Sequence, residues 1–102
     1  MSSRKDALRK AAHLVGLAAA HFALFGEDFW EGDIYNQQAA DILESYSPNE
    51  QECAMMVDEA WWRAQKKIRA TFGDPQKTTL YDQPTTEACA YALIQELLGR
   101  VP

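Results

Sequence analysis

The stretch RKDALRKAAHLVGLAAAHFALFG, residues 4–26, decides the fold that we predict for this chain. Apolar residues recur along it at steps of three and four, the spacing of one face of an α-helix: Leu8, Ala11, Val15, Ala18, Phe22 and Phe25. Beyond Ala11 the segment is apolar around most of its circumference, as expected for a helix buried on several sides. We therefore predict a central helix that begins after Ser2-Ser3, either of which could cap it, and ends at Gly26.

A second ridge of this helix consists of the small residues Ala12, Gly16 and Ala20. Glycine costs about 1 kcal/mol inside a helix, so we interpret Gly16 as a point where a neighbouring helix approaches closely. The basic start and apolar run of the segment also resemble a signal peptide. However, the run from Ala11 to Gly26 contains two histidines and is shorter than the roughly 18 residues of a membrane span. We therefore expect a core helix and no membrane association.

The strongest local signal in the chain is Ser47-Pro48-Asn49-Glu50. Serine is a good N-cap, proline suits the first helical position, and glutamate at the third position can complete a capping box. We therefore assign Ser47 as the N-cap and Glu50 as the N3 residue of a helix that runs to about Phe72.

Two further helices are predicted on either side of this one. Gly32 should interrupt the chain after the first helix, so that Asp33 caps the second helix, which runs to about Tyr46. A long loop, 73–84, precedes the fourth helix, which Gly99 ends. The fourth helix should present five apolar residues to the core: Ala90, Leu93, Ile94, Leu97 and Leu98.

The length and composition of the chain fit one folded domain spanning residues 1–102. Residues AVILMFWYC make up 47% of the 102 residues and DEKR make up 25%, which argues against disorder. No segment shows the period of two that an exposed strand requires. We predict an all-α, antiparallel four-helix bundle with the first and third helices longest. The alternative is a three-helix bundle with a docked C-terminal helix.

The charges of the chain are segregated along the sequence. Residues 11–62 contain no Lys or Arg and ten acids: Glu27, Asp28, Glu31, Asp33, Asp41, Glu44, Glu50, Glu52, Asp58 and Glu59. Such a region repels nucleic-acid phosphates and favours a basic partner. We expect that partner to be another protein with a basic patch, or a basic patch on a second copy of this chain.

The adjacent tryptophans in DEAWWRAQKK, residues 58–67, cannot both face one core, because a helix turns about 100° per residue. With Cys53 at zero on a helical wheel, the predicted core stripe contains Val57, Ala60, Ala64, Ile68 and Thr71. Trp61 falls near 80°, beside that stripe, and Trp62 falls near 180°, on the charged face. We predict that Trp61 belongs to the core. Trp62 either lies flat under Lys66 as a cation–π pair or anchors a protein contact.

The contact hypothesis defines a set of candidate interaction residues. The helical face around Trp62 contributes Trp62, Met55, Lys66 and Arg69. A second part is needed to reach the area of a standard interface, about 800 Å² per partner. It comes from the acidic aromatic corner, Phe29, Trp30, Glu31 and Asp33, or from the loop residues Leu80 and Tyr81. We favour the corner, and we expect Trp30 and Trp62 to share one surface.

Catalytic signals are weak. His13 and His21 lie eight residues apart, about 12 Å along a helix, which is too far to share one metal ion. Each histidine should therefore be a partly buried, hydrogen-bonded side chain. Cys53 and Cys89 form no CxxC pair and should be small buried thiols in a reducing compartment. No nucleophile motif or phosphate-binding loop occurs.

One acidic pattern points to an enzymatic alternative. Residues 27–31 have the spacing E-D-x-x-E, and Asp41-x-x-Glu44 follows. This resembles the all-α nucleotide pyrophosphohydrolases of the MazG type, which carry E-E-x-x-E and a later E-x-x-D. The resemblance implies Mg²⁺ bound by these acids and a nucleotide substrate. Asp28 replaces the second glutamate, the later motif is reversed, and Gly32 interrupts the helix that the motif requires.

The sequence thus favours a small, acidic, cytoplasmic protein that binds another protein and is not an enzyme. We predict no catalytic residue, no metal and no cofactor. Small acidic helical proteins of this kind occur among inhibitors and accessory subunits encoded by phages, plasmids and bacteria. The alternatives are the Mg²⁺-dependent hydrolase and a self-assembling structural homo-oligomer, of which a homodimer is the simplest form.

Overall fold

The computed structural model describes residues 3–99 and consists of four α-helices. They are α1 (Arg4–Phe25), α2 (Trp30–Tyr46), α3 (Glu50–Phe72) and α4 (Gln83–Gly99). The fold is an all-α four-helix bundle, as predicted, and α1 and α3 are the longest helices, with 22 and 23 residues. No strand occurs in the described part of the chain. None of its helices combines the length and the apolarity that crossing a membrane requires.

The central helix is α1, which packs against each of the other three helices. Eleven of its 22 residues are buried, including Leu8, Val15 and Leu24. Consecutive helices run antiparallel, and α1 and α3 therefore run parallel to each other. The bidentate ion pair from Arg4 to Glu52 lies near the start of both helices. The prediction of a central first helix is confirmed.

Gly16 lies where α1 and α3 approach each other closely. A Cβ atom on Gly16 would lie only 2.4 Å from the backbone carbonyl oxygen of Ala60. The neighbouring ridge residues Ala12 and Ala20 are fully buried. The small ridge therefore allows the close helix approach that the sequence predicted.

The packing does not follow the three-helix alternative. The C-terminal helix α4 packs against both α1 and α3, whereas α2 approaches only α1 among the described helices. The loop between α3 and α4 is fixed to the end of α1, because the Leu80 amide donates to the Leu24 carbonyl at 3.1 Å. The predicted core face of α4 is confirmed, since Ala90, Ile94 and Leu98 are buried and Leu93 and Leu97 pack against them.

The helix caps agree in part with the sequence prediction. Ser3 caps α1 by accepting from the Asp6 amide at 3.1 Å, while Ser2 lies outside the described residues. The capping box of α3 is two residues later than predicted. Its N-cap is Asn49 and its N3 residue is Glu52.

Ser47 cannot be the N-cap of α3 because it ends the preceding helix. It has a left-handed backbone conformation, with φ 42°, and its amide donates to the Leu43 carbonyl. An N-cap residue instead needs an extended backbone, which Asn49 provides with φ −81° and ψ 179°. The assignments of Ser47 as N-cap and Glu50 as N3 were therefore wrong.

The start of α2 also differs from the prediction. The helix begins at Trp30, so Gly32 lies inside its first turn and Asp33 is not its cap. The reason for the glycine is packing rather than helix termination. A Cβ atom on Gly32 would lie 2.4 Å from the ring of Phe22.

The two tryptophans of α3 point to different surroundings, as predicted. Trp61 packs against the core and makes an edge-to-face contact with Tyr91, with ring centroids 5.1 Å apart. Trp62 remains 53% exposed. Four of the five predicted core-stripe residues are buried, namely Ala60, Ala64, Ile68 and Thr71. The prediction missed Met56, which is fully buried, and Cys53 and Val57 are only partly buried.

Candidate protein-interaction surfaces

Large exposed apolar side chains gather at the end of the bundle where α1 meets α2. Trp30 is 63% exposed and Ile34 lies one turn further along α2, also exposed. Leu80, 57% exposed, lies near Gly26 at the end of α1, and Tyr81 follows it. We call this surface the aromatic end and define it by five residues: Phe29, Trp30, Ile34, Leu80 and Tyr81.

Phe29, the partly buried member of the aromatic end, packs against rings of α1. Phe29 stacks on His21 with an interplanar angle of 8° and ring centroids 5.8 Å apart. Its ring also contacts Phe25 at 4.9 Å and Trp30 at 6.5 Å. His21 is only 4% exposed. The exposed Trp30 ring therefore contacts a packed cluster of aromatic rings through Phe29.

The rim of the aromatic end is acidic. Glu27, Asp28 and Asp33 are exposed, and none of them forms an ion pair within residues 3–99. Glu31 pairs with His21, with Glu31 Oε2 3.2 Å from His21 Nε2. Since no Lys or Arg occurs between residues 11 and 62, the carboxylates at this end are not neutralised by basic neighbours in sequence.

Trp62 lies on a different surface, in an open groove between α1 and α3. The groove has a volume of about 560 Å³ and is lined by Arg9, His13, Asp58, Glu59 and Trp62. The Trp62 ring lies 6.0 Å from the His13 ring, and the Lys66 ammonium is 4.9 Å from its centroid. The cation–π arrangement predicted for Lys66 is thus present, and part of the Trp62 surface is already used within the chain.

The charges in this groove are largely paired with one another. His13 Nε2 lies 3.0 Å from Glu59 Oε2, and Arg9 Nε lies 3.6 Å from Glu59 Oε1. The hydrogen bond from His13, together with the positive charge of Arg9, holds the pKa of Glu59 below its usual value. Of the two carboxylates that line the groove, Glu59 is therefore paired, whereas Asp58 is exposed and forms no ion pair within residues 3–99.

The remaining candidates of the α3 face have partners inside the protein. Met55 is partly buried against the core and lines a small depression beside Lys5 and Leu8. Arg69 forms an ion pair with Glu87, with Nε and Oε1 3.5 Å apart.

The structure does not bring Trp30 and Trp62 together. The helices that carry them, α2 and α3, do not approach each other closely in the described part of the chain. The two halves of the candidate surface are therefore separate. By contrast, the structure places the corner residues and the loop residues Leu80 and Tyr81, which the sequence treated as alternatives, at the same end of the bundle.

The structure gives each histidine a carboxylate partner that sequence reasoning missed. His13 pairs with Glu59 and His21 pairs with Glu31. The pairing of His21 with Glu31 could have been predicted from the sequence. In an antiparallel hairpin, residues equally far from the turn face each other, as Phe25 and Phe29 also do.

No three His, Cys, Asp or Glu side chains within residues 3–99 are grouped so that they could hold a metal ion. Of the acidic pattern at 27–31, Glu27 and Asp28 lie in the turn before α2, and Glu31 lies on the helix. Cys53 and Cys89 are free thiols and partly buried. Burial raises the pKa of the Cys53 thiol, which makes the reactive thiolate less abundant.

Comparison with known proteins does not narrow the function. No protein-family model matches the sequence, and neither the curated proteins nor the solved structures yield a match.

Proposed function

We propose that this chain is a small, non-catalytic binding protein that attaches to a basic patch on another protein through its aromatic end. The observation that carries the proposal is the exposure of Trp30, a tryptophan that is 63% exposed and lies close in sequence to three exposed acids without an ion pair within residues 3–99, Glu27, Asp28 and Asp33. Tryptophan is enriched among the residues that dominate binding energy. An inhibitor or an accessory subunit would use a surface of this kind.

The outer face of α2 can extend this surface beyond the apolar residues. Because α2 packs against α1 alone among the described helices, much of its surface faces outward. Its exposed residues continue from Trp30 and Ile34 to Gln37, Asp41 and Glu44. A standard interface needs about 800 Å² per partner, and a helix face added to the bundle end supports an interface of that order.

Charge complementarity defines the kind of partner. Like-charge contacts at an interface are costly, and opposite charges speed the encounter of two proteins. Exposed carboxylates at Glu27, Asp28 and Asp33 surround the apolar centre. The partner surface should therefore present Lys or Arg side chains around an apolar pocket that accepts the Trp30 ring.

The two exposed tryptophans allow a matched test. A partner is first captured from the native host on immobilised wild-type chain, and its binding kinetics are then measured with Trp30→Ala and Trp62→Ala. Trp30→Ala should weaken binding by about 2 kcal/mol or more, mainly through faster dissociation. Trp62→Ala removes a ring of similar exposure elsewhere on the molecule and should have a smaller effect.

A larger effect of Trp62→Ala than of Trp30→Ala on binding would contradict the proposal. If Trp62→Ala releases the partner and Trp30→Ala does not, the groove between α1 and α3 is the contact surface. Light scattering tests the self-assembly alternative. A wild-type dimer that Trp30→Ala dissociates would show that the partner of the aromatic end is a second copy of this chain.

A further inference from the structure

The His21 ring is buried between α1 and α2 with an oxygen atom near each of its nitrogens. Its Nδ1 lies 2.7 Å from the carbonyl oxygen of Leu17, and its Nε2 lies 3.2 Å from Glu31 Oε2. The ring is otherwise enclosed by the aromatic rings of Phe25, Phe29 and Tyr35. Only 4% of the residue is exposed to solvent.

These contacts assign the protons of the ring. A backbone carbonyl can only accept a hydrogen bond, so Nδ1 must carry a hydrogen and donate it to Leu17. In a neutral imidazole, Nε2 would then carry no hydrogen and the ring no positive charge, so the ring would not attract the Glu31 carboxylate. With a proton on Nε2, the same contact is an ion pair. The contact between His21 and Glu31 is therefore an ion pair only when both ring nitrogens carry a hydrogen.

The contact matters because the start of α2 lacks ordinary capping. Its N-cap residue, Phe29, provides no side-chain hydrogen bond to the first turn. Besides the backbone hydrogen bonds from the Gly32 and Asp33 amides to the Phe29 carbonyl, three contacts with α1 hold the turn: the packing of Gly32 on Phe22, the stack of Phe29 on His21 and the ion pair of Glu31. Two of these three contacts involve His21.

We propose that His21 and Glu31 form a proton-dependent clamp that fixes the first turn of α2. Loss of the Nε2 proton removes the attraction between the ring and the Glu31 carboxylate. Glu31, whose side chain is already 40% exposed, can then turn to solvent, and the first turn opens more often. The titratable groups in contact with the ring are Glu31 and Tyr35, both from α2. Within residues 3–99, the ion pairs that α3 makes with α1 join Arg4, Arg9 and His13 to glutamates and do not involve His21.

The clamp gives the aromatic end a means of regulation. The first turn of α2 carries Trp30 and Asp33, so its opening displaces the centre and part of the rim of the proposed binding surface. This consequence rests on the proposed function, and it makes binding of a basic partner stronger at mildly acidic pH than at mildly alkaline pH. The clamp itself does not depend on a partner and can be tested without one.

The test is amide hydrogen exchange by NMR at pH 5.5 and pH 8, on either side of the range in which histidine ordinarily titrates. The amide of Asp33 closes the first turn of α2 by donating to the Phe29 carbonyl, 3.4 Å away, and the amides of Ile34 and Tyr35 follow it in the helix. Their protection factors, corrected for the intrinsic effect of pH on exchange, should be roughly two- to fivefold higher at pH 5.5, which is the range of a partly exposed ion pair. Amides in the middle of α3 should show no such difference.

Three variants make the result specific. Glu31→Gln and His21→Gln should both abolish the pH dependence, and Glu31→Gln retains the buried ring should His21→Gln fail to fold. His13→Gln is the matched control, because His13 also lies on α1 and also pairs with a glutamate. It should leave the difference intact. Equal protection at both pH values in the wild type, or a pH dependence that survives Glu31→Gln, would overturn the clamp. Failure of Trp30→Ala to affect binding would instead overturn the proposed function alone.

Discussion

Replacement of Gly16 by alanine should destabilise this protein, although glycine-to-alanine changes inside helices usually stabilise. The new Cβ would lie 2.4 Å from the carbonyl oxygen of Ala60 and 3.1 Å from its Cα. A carbon–oxygen contact normally needs about 3.3 Å or more, so α1 and α3 would have to separate by about 1 Å. The obstacle is backbone, which cannot rotate away as a side chain does.

The magnitude follows from two opposing effects. Overpacking in a close-packed core costs about 1–3 kcal/mol, and we take about 3 kcal/mol because a whole helix must move. The better helix propensity of alanine returns about 1 kcal/mol. The free energy of unfolding should therefore fall by about 2 kcal/mol. For a domain of this size, the Tm should fall by roughly 8–16 °C.

The assay is urea and thermal unfolding followed by circular dichroism, with Gly99→Ala as the control. Gly99 ends α4, and a Cβ there would meet no atom within 4 Å. That control should change the free energy of unfolding by less than about 1 kcal/mol. If Gly16→Ala is as stable as the wild type, with an unchanged dependence on urea, the close contact of α1 and α3 does not exist as described.

Further predictions concern stability, pH and association. Trp61→Ala should lower the free energy of unfolding by about 3 kcal/mol, which is at the low end for tryptophan because the side chain is only partly buried. Trp62→Ala should lower it by less than about 1 kcal/mol, as measured by urea unfolding of the isolated chain. A larger loss for Trp62→Ala than for Trp61→Ala would contradict the register of α3. The hydrogen bond from Arg4 lowers the pKa of Glu52 from 4.5 to about 2, so the folded state releases this proton more readily than the unfolded state does. The resulting stabilisation is present above pH 4.5 and is lost as the pH falls towards 2, and thermal melts of Glu52→Gln should show a weaker pH dependence over that interval. Asp33→Lys should slow association with a basic partner, and added salt should reduce the difference in association rate between variant and wild type; an unchanged association rate at low salt would exclude steering by this rim.

The order and extent of the helices could be predicted from the sequence because both depend on local patterns. Apolar spacing placed α1, and Gly26 correctly marked its end. The start of α3 was ambiguous because Ser47 and Asn49 both have a glutamate three residues later. The choice depends on how α2 ends. Once Ser47 takes the left-handed conformation that closes α2, only Asn49 remains extended enough to cap α3.

Gly32 shows why the candidate site was harder to predict than the fold. A glycine among acidic and aromatic residues is typical of a break between helices, and the sequence contains nothing local to contradict that interpretation. Its actual role depends on Phe22, ten residues earlier, whose ring occupies the place of a Cβ. Contacts between helices decide such positions, and a single sequence does not specify them.

The separation of Trp30 from Trp62 has the same physical origin. A helical wheel gives the direction of each side chain from its own helix axis, and it placed Trp62 correctly on the charged face. It does not give the position of one helix relative to another. In this bundle α1 lies centrally, with α2 packed on it alone and α3 and α4 packed on it together. Residues on α2 and α3 are therefore kept apart by the helix they both contact.

The turn before α2 and the loop before α4 meet at the end of α1, where the Leu80 amide donates a hydrogen bond to the Leu24 carbonyl. A contact surface in this fold therefore forms more readily around the end of α1 than across its two sides, which is why the acidic aromatic corner gains Leu80 and Tyr81 as neighbours and not Trp62.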